Sequence, residues 1–425
     1  MRKGAVLLAA GVLLAAPGAG QDAPDPTELV DTLLSGLLGF RETTGPELQR
    51  EVAEVGGIAF RSEVPLDFMT RAELSGYLRE VLDSEYPPEK ARVDQRTLAA
   101  FDLFPPDGDL RALRARVLAE NVVGFYDERP GRKRLYVVSG NRRLGPANQL
   151  ILSHELRHAL QDQYVDLHRQ LPESIGDFDD RRLAWLALFE GDATLVMERF
   201  LVRRLPGGGP GGEWPGLSSL PAGLDLPEAP PVVRDQLVQP YLAGLAFARA
   251  LWARGGPDEL PRAWARPPDS TEQVLHPEKY FAREAPVAVD VDWSPGGGRL
   301  VNEGVLGELL ARTLLDGAEA PAAGWGGDRF RLWEVDGRTL LVWRSVWDAE
   351  AEAREFEEAV LSRFTAAHGP PERRDGHAVW RAGAWSFAIG ARAGGVELLS
   401  ADDPGLLEEA RRARPGEPGG APPAR

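Results

Sequence analysis

Residues Ser153 to Gln163 read SHELRHALQDQ, the one stretch where residue types and spacing together dictate a chemistry. On a helix, His154 and His158 lie four residues apart and share a face, with Glu155 beside the first. Two imidazoles at that spacing can bind one Zn²⁺, and a neighbouring carboxylate can take a proton from water held by the metal. The flanking residues, QLIL at 149–152 and then Ala159 and Leu160, are mostly apolar, so the sequence predicts a largely buried helix. A buried helix carrying two imidazoles and a carboxylate needs partners for them, because burying an unpaired polar group costs free energy.

A catalytic zinc site usually has three protein ligands and leaves the fourth position to water. The chain contains no cysteine, which excludes thiolate ligands, disulfides and cysteine nucleophiles together. Any further ligand must then be an imidazole or a carboxylate. Residues 181–203 (RRLAWLALFEGDATLVMERFLVR) read as the next long helix, with Glu190 near its middle. A second helix packed across the first can bring one carboxylate to the metal, which makes Glu190 the candidate third ligand. Asp192 is then a residue behind the ligands, or a substitute ligand on a different helix phase. Gly191 interrupts the same apolar run at a cost of about 1 kcal/mol relative to alanine, which points to close packing there. Glu155 is the candidate general base. For the donor that stabilises an oxyanion, His276 comes first and Tyr280 next, both in the compact segment HPEKY; Tyr126 is a third candidate. His168, His368 and His377 lack comparable context and read as structural or surface residues.

The first twenty residues, MRKGAVLLAAGVLLAAPGAG, have a basic start, an apolar run and small residues, the layout of a secretory signal peptide. The apolar run is too short to span a bilayer comfortably. The expected location is therefore extracytoplasmic, periplasmic or secreted, with no transmembrane span after cleavage. A formal net charge of −16 argues against nucleic acid or anionic lipid as a partner. A protein or peptide substrate suits the motif; nothing in the sequence speaks to oligomeric state.

A length of 425 residues exceeds what one hydrophobic core usually serves, so two domains are expected. The fold class read from the pattern is α+β. A mainly helical domain over 21–285 has helices at 47–55, 71–82, 110–120 and 236–253, and Thr70 with Glu73 forms a capping box for the second. An extended element is expected at 58–68 and a β-hairpin at 122–139, where an edge strand could receive an extended substrate. A Gly- and Pro-rich loop follows at 205–231. Residues 286–411 read as strands at 287–291, 329–335 and 339–346, helices at 301–315 and 349–367, and strands within 378–399. That β-α-β-β-α-β order fits a small α+β sandwich, with the ferredoxin-like arrangement as the candidate. The tail at 412–425 has a disordered composition.

HELRHALQDQ followed by EGDAT resembles the zinc metallopeptidases of the gluzincin type, in which a downstream glutamate completes the two-histidine pair. More narrowly, GFYD at 124–127, HALQDQ at 158–163, TEQVLHPEKY at 271–280 and GWGGDRF at 324–330 resemble a group of exported prokaryotic proteins described as metallopeptidases. The resemblance runs from about Val122 to Trp347. It implies zinc at His154, His158 and Glu190, and catalysis by Glu155. The separation of His158 from Glu190 is longer here than in the best-known gluzincins. A reading from another class is a non-catalytic, zinc-stabilised envelope binding protein whose C-terminal domain carries the binding; Glu155 argues against it, because a structural site has no use for a base.

Overall fold

The computed structural model describes residues 43–139, 144–172, 179–204, 229–392 and 394–413. The segment read as a signal peptide, most of the stretch read as a Gly- and Pro-rich loop and all but the first two residues of the stretch read as a disordered tail lie outside them. Of the described residues, 43–91, 109–172 and 181–284 form one compact unit, and 92–108, 179–180 and 285–413 form a second.

The first unit opens with α1 (Gly45–Gly56), β1 (Leu66–Met69), α2 (Arg71–Glu85) and the start of α3 (Pro88–Ala100). The capping box read at Thr70 and Glu73 is present, and a second one, Thr44 with Glu47, starts α1. Extended pairing at 58–68 is confined to its end. Pro65 has no N–H to offer a ladder, and its carbonyl accepts from Leu135 just ahead of β1. After α4 (Leu110–Asn121), the hairpin of β2 (Gly124–Asp127) and β3 (Arg134–Val138) forms where the sequence placed it. Strand order is β1-β3-β2, with β1 parallel and β2 antiparallel to β3, so β2 is an edge.

Helix α5 (Pro146–Val165) carries the SHELRHALQDQ stretch, and every residue from Asn148 to Asp162 is buried. One side packs with α1, the hairpin and the far end of α7 in a core that includes Val52, Tyr126, Leu135, Leu152, Leu156, Val196 and Phe200. The other side joins a second core with Leu160, Trp185, Phe189, Phe247, Leu251 and Trp264. After the single turn α6 (Leu167–Gln170), that second core is built from α7 (Asp180–Arg204), α8 (Pro231–Gly255), α9 (Glu259–Ala265), α10 (Thr271–Leu275) and α11 (Pro277–Ala282).

The second unit has one seven-stranded antiparallel sheet, ordered β4-β5-β6-β10-β9-β8-β7. Its strands are β4 (Arg299–Gly304), β5 (Trp325–Val335), β6 (Arg338–Trp347), β7 (Glu372–Arg374), β8 (His377–Ala382), β9 (Trp385–Arg392) and β10 (Gly395–Ala401). Helices α12 (Gly307–Leu314), α13 (Glu350–His368) and α14 (Pro404–Arg412) complete it. The α+β class holds, but the arrangement is not ferredoxin-like. Asp336-Gly337 and Asp375-Gly376 have positive φ at both positions, the backbone of tight hairpin turns that pair β5 with β6 and β7 with β8, while the chain passes through α13 from β6 to the far edge at β7, giving a seven-stranded order. No strand forms at 287–291. The segment read as a helix from 301 begins as β4 and becomes helical only at Gly307, where the Asp328 carboxylate of the GWGGDRF stretch accepts from the N–H groups of Leu306 and Gly307. Alternation along β6 sends Leu340 and Val342 to the face covered by α14, and Trp343 to the face where Phe356 of α13 packs. Residues 92–108, expected in the helical domain, join this unit because Phe101 packs edge-on against Phe330 and Trp343, and the Ala100 carbonyl accepts from Ser400.

The packing anticipated at Gly191 is explicit. A Cβ there would lie 2.0 Å from the Gly244 carbonyl, and one at Gly244 would lie 2.1 Å from the Ala187 carbonyl. Helices α7 and α8 therefore cross backbone to backbone. Gly244→Ala and Gly191→Ala should each lower unfolding free energy by about 2 kcal/mol or more in urea titrations, the cost of overpacking. On an unobstructed helix the same change would stabilise by about 1 kcal/mol.

Candidate metal centre

His154 and His158 project from one face of α5, and Glu190 reaches them from the middle of α7. His154 Nε2 lies 3.1 Å from Glu190 Oε2, His158 Nε2 lies 3.4 Å from the same oxygen, and the two Nε2 atoms are 2.9 Å apart. All three side chains are buried, and their ligating atoms fall within 4.8 Å of one another, a group that could hold a metal ion. Burial drives the His154 pKa down to about 4. Burial also disfavours charge on His158, but the negative Glu190 beside it prevails and holds that imidazole up at about 9. Glu190, despite its own burial, is held down at about 2 by the two imidazoles. Two imidazole lone pairs repel at this distance, so either one of the two Nε2 atoms carries a hydrogen or a cation lies between them. Two nitrogen donors and one carboxylate oxygen form a set suited to a divalent transition metal.

Glu155, adjacent to His154, is fixed at one oxygen only. Its Oε2 accepts the Tyr126 N–H at 2.8 Å, whereas Oε1 is buried with no hydrogen-bond partner among the described residues. Burial raises its pKa to about 8, against the opposing charge of His158. The candidate base thus sits beside the candidate ligands with one oxygen uncommitted among the described residues.

Behind the trio runs a chain of polar contacts. His158 Nδ1 lies 2.8 Å from Gln161 Oε1. The Gln161 amide nitrogen donates to Asp192 Oδ2 at 2.7 Å and to the Phe189 carbonyl at 3.1 Å. Those two acceptors fix the amide orientation, so Oε1 accepts and Nδ1 of His158 carries the hydrogen, directing the other ring nitrogen toward Glu190. Asp192 in turn accepts from Arg157 Nε at 2.9 Å and Nη2 at 3.0 Å. Both partners are fully buried, and the guanidinium lies over the Trp264 ring. Asp192 therefore acts on the ligands at one remove, through Gln161, and its carboxylate is already engaged.

The other candidates are placed differently. Tyr126 donates its hydroxyl to Asp162 Oδ2 at 2.8 Å, which commits its only proton. Tyr280 donates to the Arg266 carbonyl at 2.9 Å and packs edge-on against Phe247, a structural role. His276 caps α11, partly exposed, with Nδ1 3.8 Å from Glu278. Three residues not anticipated from sequence complete the centre: Gln161, Arg157 and Tyr241. The buried Tyr241 ring of α8 stacks on His154 with centroids 5.9 Å apart, and its hydroxyl hydrogen-bonds Glu190. Gln161 carried a usable signal, three residues after His158 on the same face. Tyr241 carried only a weak one, a lone hydroxyl within an apolar helix.

Comparison with protein families matches residues 296–409 to a domain of unknown function (DUF8575). The match lies in the second unit and does not include His154, His158 or Glu190. No curated protein and no solved structure matches the chain.

Two substitutions separate the layers of this centre. Gln161→Leu removes the acceptor that orients His158 and should weaken Zn²⁺ or Co²⁺ binding about 10- to 100-fold in chelator competition, with the circular dichroism spectrum retained. Asp192→Ala leaves the Arg157 charge buried without its partner and should cost about 3–5 kcal/mol of stability in denaturant titrations.

Proposed function

We propose that this protein is an exported zinc-dependent metallopeptidase, in which His154, His158 and Glu190 hold the zinc and Glu155 serves as general base for peptide-bond hydrolysis. The observation that carries the reading is the state of Glu155: one oxygen is held by a main-chain N–H, and the other is buried and unpartnered beside a two-histidine, one-carboxylate donor set. A site built only to bind metal for stability gains nothing from such a carboxylate and bears the cost of its desolvation.

When bound with three protein ligands, zinc supplies Lewis acidity, lowering the pKa of water to about 7 and polarising a substrate carbonyl. The residues of the chain do the rest. Burial raises the proton affinity of Glu155, which suits it to take a proton at Oε1 and return it to the leaving amine. Gln161 keeps His158 in the tautomer that leaves Nε2 for the metal, and the Tyr241 hydroxyl holds the Glu190 carboxylate. Export follows from the N-terminal segment of the sequence, and an acidic exported chain fits a protein or peptide substrate.

The test is Glu155→Gln in the mature protein. Metal analysis should show one zinc retained per chain, and hydrolysis of casein or a peptide library should fall by about 10²- to 10⁴-fold, the usual contribution of a positioned acid–base group. Equal hydrolysis by parent and variant would overturn the mechanism. Zinc in both with turnover in neither would favour the non-catalytic, zinc-stabilised binding protein instead.

A further inference from the structure

We infer that Tyr126 is the positioning residue for Glu155, acting as a two-point staple between the edge strand β2 and helix α5. The inference rests on the reading of Glu155 as the base. The first point is the main chain: the Tyr126 N–H holds Glu155 Oε2 at 2.8 Å. The second is the side chain: the Tyr126 hydroxyl donates to Asp162 Oδ2 at 2.8 Å. Asp162 lies two helical turns beyond Glu155, on the same face of α5. It is itself anchored, accepting the Leu167 N–H at 2.9 Å and pairing with Lys133 of the hairpin at 2.9 Å. Between the two points the Tyr126 ring packs with Leu135, Leu152 and Leu156 in the core.

The geometry has a specific consequence. A carboxylate free at both oxygens can swing about its terminal torsion and present either one. Held at Oε2 by a strand that cannot slide along the helix, Glu155 presents Oε1 alone. The hydroxyl bond to Asp162 sets where along α5 the Tyr126 N–H sits, so loss of that bond should displace the base without touching the metal ligands. A misplacement of about 1 Å costs on the order of 10²-fold in rate.

The test uses the mature, zinc-loaded protein and the variants Tyr126→Phe, Asp162→Asn and Glu155→Ala. Tyr126→Phe should keep one zinc per chain and leave KM within about twofold, while kcat falls about 10- to 100-fold. Asp162→Asn keeps the shape of the acceptor and weakens the bond, so it should move kcat in the same direction by less. Deuterium exchange at the β2 amides gives a readout independent of activity: exchange at Tyr126 should quicken at least about tenfold in Glu155→Ala and in Tyr126→Phe. Unchanged exchange in Tyr126→Phe would overturn the staple, whatever Glu155→Ala shows, as would a kcat loss that merely tracks a loss of folded protein. Should Tyr126→Phe fail to fold, Asp162→Asn carries the same readouts. A parent that hydrolyses nothing would sink the peptidase reading alone, because the exchange measurement still decides whether the staple exists.

Discussion

The ion pair between Arg157 and Asp192 has no access to water, and the centre of the first unit is arranged around that fact. Two charges removed from solvent are tolerable only when the geometry is good and the remaining hydrogen-bonding capacity is used. Here the guanidinium makes a two-pronged contact through Nε and Nη2, lies over Trp264, and shares its carboxylate partner with the Gln161 amide, while its Nη1 has no hydrogen-bond partner among the described residues. Arg157 precedes His158 in α5, and Asp192 lies two residues after Glu190 in α7. One contact therefore sets the register of both helices at the point where the three candidate ligands meet. A slip of either helix by a turn would strand a buried charge, so the ion pair selects the one arrangement in which the imidazoles face the carboxylate.

A second constraint acts from the other side of α7. Gly191 and Gly244 let α7 and α8 approach at backbone distance. Tyr241 sits one turn before Gly244, and the close crossing is what allows its ring to reach His154 and its hydroxyl to reach Glu190. The glycine beside the ligand carboxylate thus has a site-building role as well as a packing one: its missing side chain admits the helix that braces Glu190.

What was legible in the sequence was what depends on local spacing. The pair of histidines four residues apart, the capping box at Thr70 and Glu73 and the hairpin at 122–139 are set by neighbours within a few residues, and each formed where its pattern indicated. Glu190 was reachable because a cysteine-free chain leaves only imidazoles and carboxylates as further ligands, and the next apolar helix carries a carboxylate near its middle. Arg157 and Tyr241 depend on helix crossings, which periodicity does not encode. His276 and Tyr280 were drawn from a compact polar segment, and the structure engages them in contacts local to the last helices of the first unit, Tyr280 through the Arg266 carbonyl. In the second unit the Asp-Gly pairs at 336–337 and 375–376 match the hairpin-turn pattern, a signal not used in placing its strands. The strand order was not readable, because adding β10 between β6 and β9 is a choice among distant partners.

The polar load on α5 bears on why the centre survives folding. From Asn148 to Asp162 every residue of the helix is buried, yet that span holds two histidines, two acids, an arginine and several amides. Each must be paired or its desolvation is a net loss. Arg157 (through Nε and Nη2), Gln161 and Asp162 are paired by protein groups in ways that also orient the centre, while Glu155 Oε1, His154 Nδ1 and Arg157 Nη1 have no partner among the described residues. The helix accommodates that deficit because the apolar residues interleaved with its polar ones, Leu152, Leu156, Ala159 and Leu160, enter two separate cores on opposite sides. An apolar scaffold on both flanks carries a concentrated polar stripe between them, and the carboxylate oxygen it leaves unsatisfied among the described residues belongs to Glu155, the proposed base.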